Sequence, residues 1–160
     1  MRAISCLLFT AAVVSASACG ATRQSDYGTT QVATPALTGA TVAFRTLDHG
    51  KDDDSRLTVQ LLRRNEQVAA ELRVVDTKFS DNSQTTPMAL SVTGPFRAND
   101  IDDGAVRLTM TPHGDDEWNF DMYLTLTFSD NTQRTFSWLR LELDERHPER
   151  TLSFASGRVK

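Results

Sequence analysis

The sequence predicts an all-β fold, an antiparallel β-sandwich of about eight strands. Three observations carry that expectation. Apolar and polar residues alternate with period two from residue 40 onward. No long stretch places apolar residues at helical spacing, so amphipathic helices are not expected. The alternating segments are short and end in turns rich in Asp, Asn, Gly and Ser, the pattern of a sandwich or barrel. Unequal strand lengths favour the sandwich.

The strands follow in order. Val42 and Phe44 alternate with Ala43 and Arg45. Leu57, Val59 and Leu61 alternate with Thr58 and Gln60. Val68, Ala70, Leu72 and Val74 alternate with Glu71 and Arg73. Met88, Leu90 and Val92 precede the breaker Gly94-Pro95, and Val106, Leu108 and Met110 alternate with Arg107 and Thr109. The clearest strand runs from Glu117 to Ser129, with Trp118, Phe120, Met122, Leu124, Leu126 and Phe128 on one face. Alternation this long means one buried and one wet face. After the turn Ser129-Asp130-Asn131-Thr132, the strand from Gln133 to Leu143 returns as a hairpin partner, and Leu152 with Phe154 closes the chain. Single helical turns are expected at Phe79 to Ser83 and Glu145 to Glu149.

Within Gln133 to Leu143 the alternation breaks. Leu139, Leu141 and Leu143 share a face with Thr135 and Ser137, while Phe136 and Trp138 lie opposite with Arg140 and Glu142. Two readings stand. A β-bulge near Trp138 would turn both halves inward. Without one, Phe136 and Trp138 form an exposed aromatic pair suited to a partner.

Ahead of these strands, Arg2, the apolar run Ile4 to Val14 and Ala16-Ser17-Ala18 before Cys19 make a secretory signal, too short to span a bilayer as a mature helix. It resembles a bacterial lipoprotein signal. That resemblance implies cleavage before Cys19, acylation there (palmitate among the chains) and membrane anchoring. Gly20 at the next position leans toward the outer membrane in such proteins. Ordinary cleavage after the A-x-A motif, giving a soluble periplasmic or secreted protein, is the alternative. Cys6 leaves with the signal, so Cys19 is left without a partner for a disulfide. Gly20 to Thr38 is poor in large apolar residues and reads as a flexible tether. The expected organisation is therefore residues 1–18 as signal, 19–38 as lipidated cysteine and tether, and 39–160 as the folded domain.

The chain has 17 basic and 21 acidic residues, a net charge of −4 that loss of Arg2 would make one unit more negative. Nucleic acid is excluded as a partner by that balance. The turns concentrate the acids: Asp52-Asp53-Asp54, Asp100-Ile101-Asp102-Asp103 and Asp115-Asp116-Glu117. Loops of a sandwich gather at its two ends. Carboxylates converging there suit Ca²⁺, with Asp48, Asp52, Asp54, Asp100, Asp102 and Asp115 as candidate ligands. Asp, Asn and Gly are also turn formers that keep a β-protein soluble.

Catalytic signals are sparse. His49, His113 and His147 all fall in loops, and no pair has the helical spacing of a zinc protease. No Gly-x-Ser-x-Gly elbow and no Gly-rich phosphate loop occurs.

Thr41-Val42-Ala43-Phe44-Arg45-Thr46, the acidic turn and Leu57-Thr58-Val59-Gln60-Leu61, followed by Leu108-Thr109-Met110-Thr111-Pro112-His113, Trp118-Asn119-Phe120 and Phe136-Ser137-Trp138-Leu139, resemble PLAT (lipoxygenase-type) domains, relatives in shape of C2 domains. The resemblance implies an eight-stranded sandwich that binds lipid surfaces or protein partners, sometimes with calcium, and seldom acts as the catalyst. Phe79 and Phe96 are the loop aromatics available to enter lipid. The function expected is a lipid-anchored, non-enzymatic envelope module recognising a protein, glycan or lipid partner. The alternatives are a small envelope hydrolase using His113 or His49 with nearby acids, and an inhibitor or immunity-type lipoprotein.

Overall fold

The computed structural model describes residues 33–113 and 116–159. Among them are nine strands, all paired antiparallel, and no α-helix. In chain order they are β1 (Leu37–Thr46), β2 (Arg56–Leu62), β3 (Val68–Val74), β4 (Met88–Val92), β5 (Ala105–Thr111), β6 (Glu117–Phe128), β7 (Gln133–Asp144), β8 (Glu149–Ser153) and β9 (Arg158–Val159). Hydrogen bonding runs β8-β5-β2-β3-β4-β1-β6-β7-β9. The eight strands expected from periodicity are present; the two-residue β9 is added.

β4 is the corner. Met88 to Leu90 pair with β1, while Ser91 and Val92 pair with β3. The strand thus passes from one layer to the other, and the sheet folds on itself as a nearly closed sandwich. Inward residues of both layers form one core, with Val59, Leu61, Val106 and Leu108 from one side and Phe44, Phe120, Leu124 and Leu126 from the other. The period-two pattern dictates this directly, since each strand has a single apolar face to bury.

Aromatic rings gather at both ends of the core. Phe44, Phe79, Trp118 and Phe120 form one cluster, with Trp118 and Phe120 stacked at 3.8 Å between centroids. Trp118 Nε1 donates to Thr46 Oγ1 at 3.2 Å, so its one polar atom is satisfied. Phe96, Phe136, Trp138 and Phe154 form the other. Phe79 and Phe96, the loop aromatics that would have entered lipid, are therefore core residues.

Two sequence expectations change, and a third is decided between its two readings. Leu37 and Thr38 belong to β1 rather than the tether, because Leu37 is buried against the core and its N–H donates to Phe96 O at 2.7 Å. The single helical turns lie at Arg64–Glu66, Ala98–Ile101 and Phe154–Ser156, not at Phe79 or Glu145. Phe79 is instead held in an extended bridge with Lys51, and the Asp144 carboxylate folds the chain after β7 by accepting from Arg146 N and His147 N.

The third concerns Phe136 and Trp138, where the bulge reading holds and the exposed-pair reading does not. Both are buried, at 2% and 5% exposure, and are not a partner surface. A bulge is responsible. Phe120 pairs with Leu141 and Met122 with Trp138, so Leu139 and Arg140 together oppose Asp121 alone. Arg140 takes φ 57°, and its N–H donates to Asp121 Oδ1 at 2.8 Å. The extra residue shifts the inward face from the even to the odd positions. The chain end then seals the pair: Trp138 Nε1 donates to Ser153 O at 3.3 Å and Ser156 Oγ at 3.2 Å.

Candidate functional site

Antiparallel register fixes which loops share an end. β1, β3, β5 and β7 all run toward the end where β2, β4, β6 and β8 begin. Loops 47–55, 75–87 and 145–148 therefore meet there, together with residues 112, 113 and 116 between β5 and β6. Loops 63–67, 93–104, 129–132 and 154–157 lie at the opposite end, where the described chain also enters through Ala33 to Ala36.

This division separates the five described candidate calcium ligands. Asp48, Asp52 and Asp54 lie at the first end, and Asp100 and Asp102 at the second; Asp115 is outside the described residues, as is Cys19. A cation held at one end by some of these residues would draw on Asp48, Asp52 and Asp54 or on Asp100 and Asp102, not on both sets. Asp100 is also committed locally, accepting from Arg97 N at 2.7 Å and facing Arg63 Nε at 3.4 Å. Among the described residues, no group of three or more His, Cys, Asp or Glu side chains is arranged to hold a metal ion.

The first end is built around Lys51. Its side chain is fully buried, and Nζ donates to Asp52 O at 2.6 Å and Thr77 O at 2.8 Å, 5.5 Å from the Phe79 ring centroid. The backbone cooperates, with Phe79 N donating to Lys51 O at 2.8 Å. Gly50 is required at this approach, because a Cβ there would lie 2.4 Å from Phe79 O. Burial pushes the Lys51 ammonium below its ordinary range, while Asp116, Asp53, Asp54 and Asp52 pull it back up.

Asp116 ties in the loop between β5 and β6. Its carboxylate accepts from the buried Ser55 hydroxyl and from His113 N. Burial works against its charge. Those hydrogen bonds and the Lys51 ammonium overcome that cost and hold the group below the usual carboxylate range. Further ties cross the end: His113 Nδ1 stands 3.0 Å from Asp54 Oδ2, and Lys78 Nζ 3.3 Å from Asp52 Oδ1.

Two shallow grooves open between these loops. One, of about 380 Å³, is lined by Asp48, His49, Gly50, Asp52, Lys78, Asp81, Asp116 and Glu117. The other, of about 280 Å³, is lined by Asp116, Glu117, Asp144, Glu145 and Arg146. Carboxylates outnumber cations in both. Asp144 sits below the usual carboxylate range; desolvation opposes its charge, and hydrogen bonds from His147 and Arg146 exceed that effect.

All three histidines fall at this end, each beside a carboxylate and each more than half exposed. His49 lines the larger of these two grooves, with Nδ1 3.6 Å from both Asp48 and Glu117. Among the described residues, no serine, threonine or cysteine lines that groove beside it.

Sequence reading drew attention to the acidic turns, Asp76 to Asp81 among them, but gave Lys51 and Lys78 no role. A lysine between Gly50 and Asp52 carries no local mark of burial; its depth comes from the distant Thr77 and Phe79. No protein-family model matches the chain, and no curated protein matches it either.

Proposed function

We propose that the chain is an exported, lipid-anchored, non-enzymatic binding module whose acidic loop end recognises a basic protein surface in the cell envelope. The observation that carries this reading is the concentration of unbalanced charge. Seven carboxylates line the two adjoining grooves, against Lys78, Arg146 and His49. At the opposite end two of the acids have arginine partners, Arg63–Asp100 at 3.4 Å and Arg64–Asp103 at 3.6 Å. Over three register rows the outer face of β1, β6 and β7 carries Gly39, Thr41, Ala43, Tyr123, Thr125, Thr127, Gln133, Thr135 and Ser137, all uncharged. Charge complementarity of this kind sets partner choice and association rate.

The anchor fits the same picture. The described chain enters the domain at the end opposite the grooves, where Ala36 bridges Arg97. The alternation of carboxylates with one groove histidine also bears on the hydrolase alternative. His49, with Nδ1 3.6 Å from Asp48 and Glu117, is the groove residue on which that alternative would rest.

Two measurements test the proposal. Cys19→Ser should move the protein from the membrane to the soluble envelope fraction; unchanged membrane partition rejects the anchor. A partner captured by the native protein should be released by rising salt and lost from a Asp48→Lys/Glu117→Lys variant that retains its melting temperature. Equal retention by that variant rejects the loop end as the recognition surface.

A further inference from the structure

We propose that the ammonium of Lys51 is the resident cation of the acidic loop end, occupying the position a metal ion would otherwise take, so that this end is organised without calcium. The coordination is that of a cation site. Nζ has no solvent exposure and touches two backbone carbonyls, Asp52 O and Thr77 O, contributed by different loops. The face of Phe79 closes one side, within cation–π range. Asp52, Asp53, Asp54 and Asp116 surround it electrostatically. Hard cations are recognised by oxygen sets of this type, carbonyls inside and carboxylates around them. Here the cation is covalently supplied by the chain.

The consequence is mechanical as well as electrostatic. The ammonium bridges loop 47–55 to loop 75–87, and Asp116, between β5 and β6, is attached to the same point through Ser55. Without a positive charge there, two backbone carbonyl oxygens lose their donor and four acids lose a nearby counter-ion. Leaving buried polar groups unpaired is the costly side of such a change.

Chemical rescue tests the assignment. Lys51→Ala should lower the melting temperature of the full chain by at least about 5 °C. n-Propylammonium replaces the atoms removed, so it should raise the variant's melting temperature well above that in equimolar tetramethylammonium, and should not shift the native protein. Millimolar Ca²⁺ should leave the native melting temperature where EDTA leaves it. If Lys51→Ala does not fold, ¹⁵N spectra of the native protein should still show a Lys51 Nζ signal protected from solvent exchange at neutral pH. The assignment is overturned if Lys51→Met melts at or above the native temperature. It is equally overturned if propylammonium acts no better than tetramethylammonium, if Ca²⁺ stabilises the native protein, or if the Nζ signal exchanges freely. These readouts concern stability, so they stand or fall apart from partner recognition.

Discussion

At the residue scale, the fold depends on a few polar side chains buried where the alternation pattern would put solvent-facing groups. Asp121 is the clearest. It lies on the outer face of β6 yet is 1% exposed, because Arg45 covers it and the bulged backbone of β7 turns toward it. Its two oxygens are both used, one by Arg140 N and the other by the Arg45 guanidinium. Asp121→Ala should therefore destabilise by about 2–3 kcal/mol, read from urea unfolding, since it orphans a bulge N–H and an arginine together. Arg45→Ala should cost less, because the guanidinium is half exposed and solvent already screens it. Equal losses for the two variants would place the energy in the ion pair rather than in the bulge.

At the scale of elements, β7 does two jobs that a regular strand cannot combine. Its first half aims Phe136 and Trp138 inward, and its second half aims Leu143 inward, although these residues have opposite parity. The bulge at Leu139 and Arg140 reconciles them. Arg140 holds a left-handed backbone there, a conformation that glycine adopts freely and β-branched residues resist. Arg140→Gly should match or exceed the native stability by up to ~1 kcal/mol, and Arg140→Val should lose more than about 1 kcal/mol. A Val variant as stable as the native protein would mean that the bulge can migrate along the strand.

The bulge and the inward turn of both halves were legible in the sequence as a break in alternation between Trp138 and Leu139; the choice between that reading and an exposed aromatic pair was not. Whether Phe136 and Trp138 faced a partner or the core depended on Ser153 to Gly157 returning over them. Gly157 permits that return, because a Cβ there would lie 2.9 Å from the Trp138 ring. The eight principal strands were readable for the opposite reason. Each records its own burial locally, one residue in two.

At the scale of the whole molecule, the distribution of charge predicts how stability responds to acid. Asp116 and Asp144 at the loop end, Asp130 in the hairpin turn and Glu71 on β3 are all held below their ordinary values, 3.8 for the aspartates and 4.5 for the glutamate. A carboxylate with a lowered folded pKa contributes stability above its unfolded value and loses it as pH falls through the folded value. Melting temperature should accordingly hold near neutrality and decline below about pH 4.5, as the unfolded chain begins to take up protons first. Asp116→Asn should lower the neutral melting temperature and flatten this acid decline, because it removes one of the groups whose protonation drives it. An acid limb of undiminished slope in that variant would assign the decline to the other carboxylates.

The sequence by itself determined the fold class, the strands and the acidity of the turns, because each is written in neighbouring residues by period, turn chemistry and composition. The tertiary structure alone decided which turns share an end. Strand direction and order set that, separating Asp100 and Asp102 from Asp48, Asp52 and Asp54 by the length of the sandwich. It also decided that one lysine among those acids is buried. The carbonyl and the ring that enclose Lys51 come from Thr77 and Phe79, brought to it only when the loops beyond β1 and β3 close over the same end of the core.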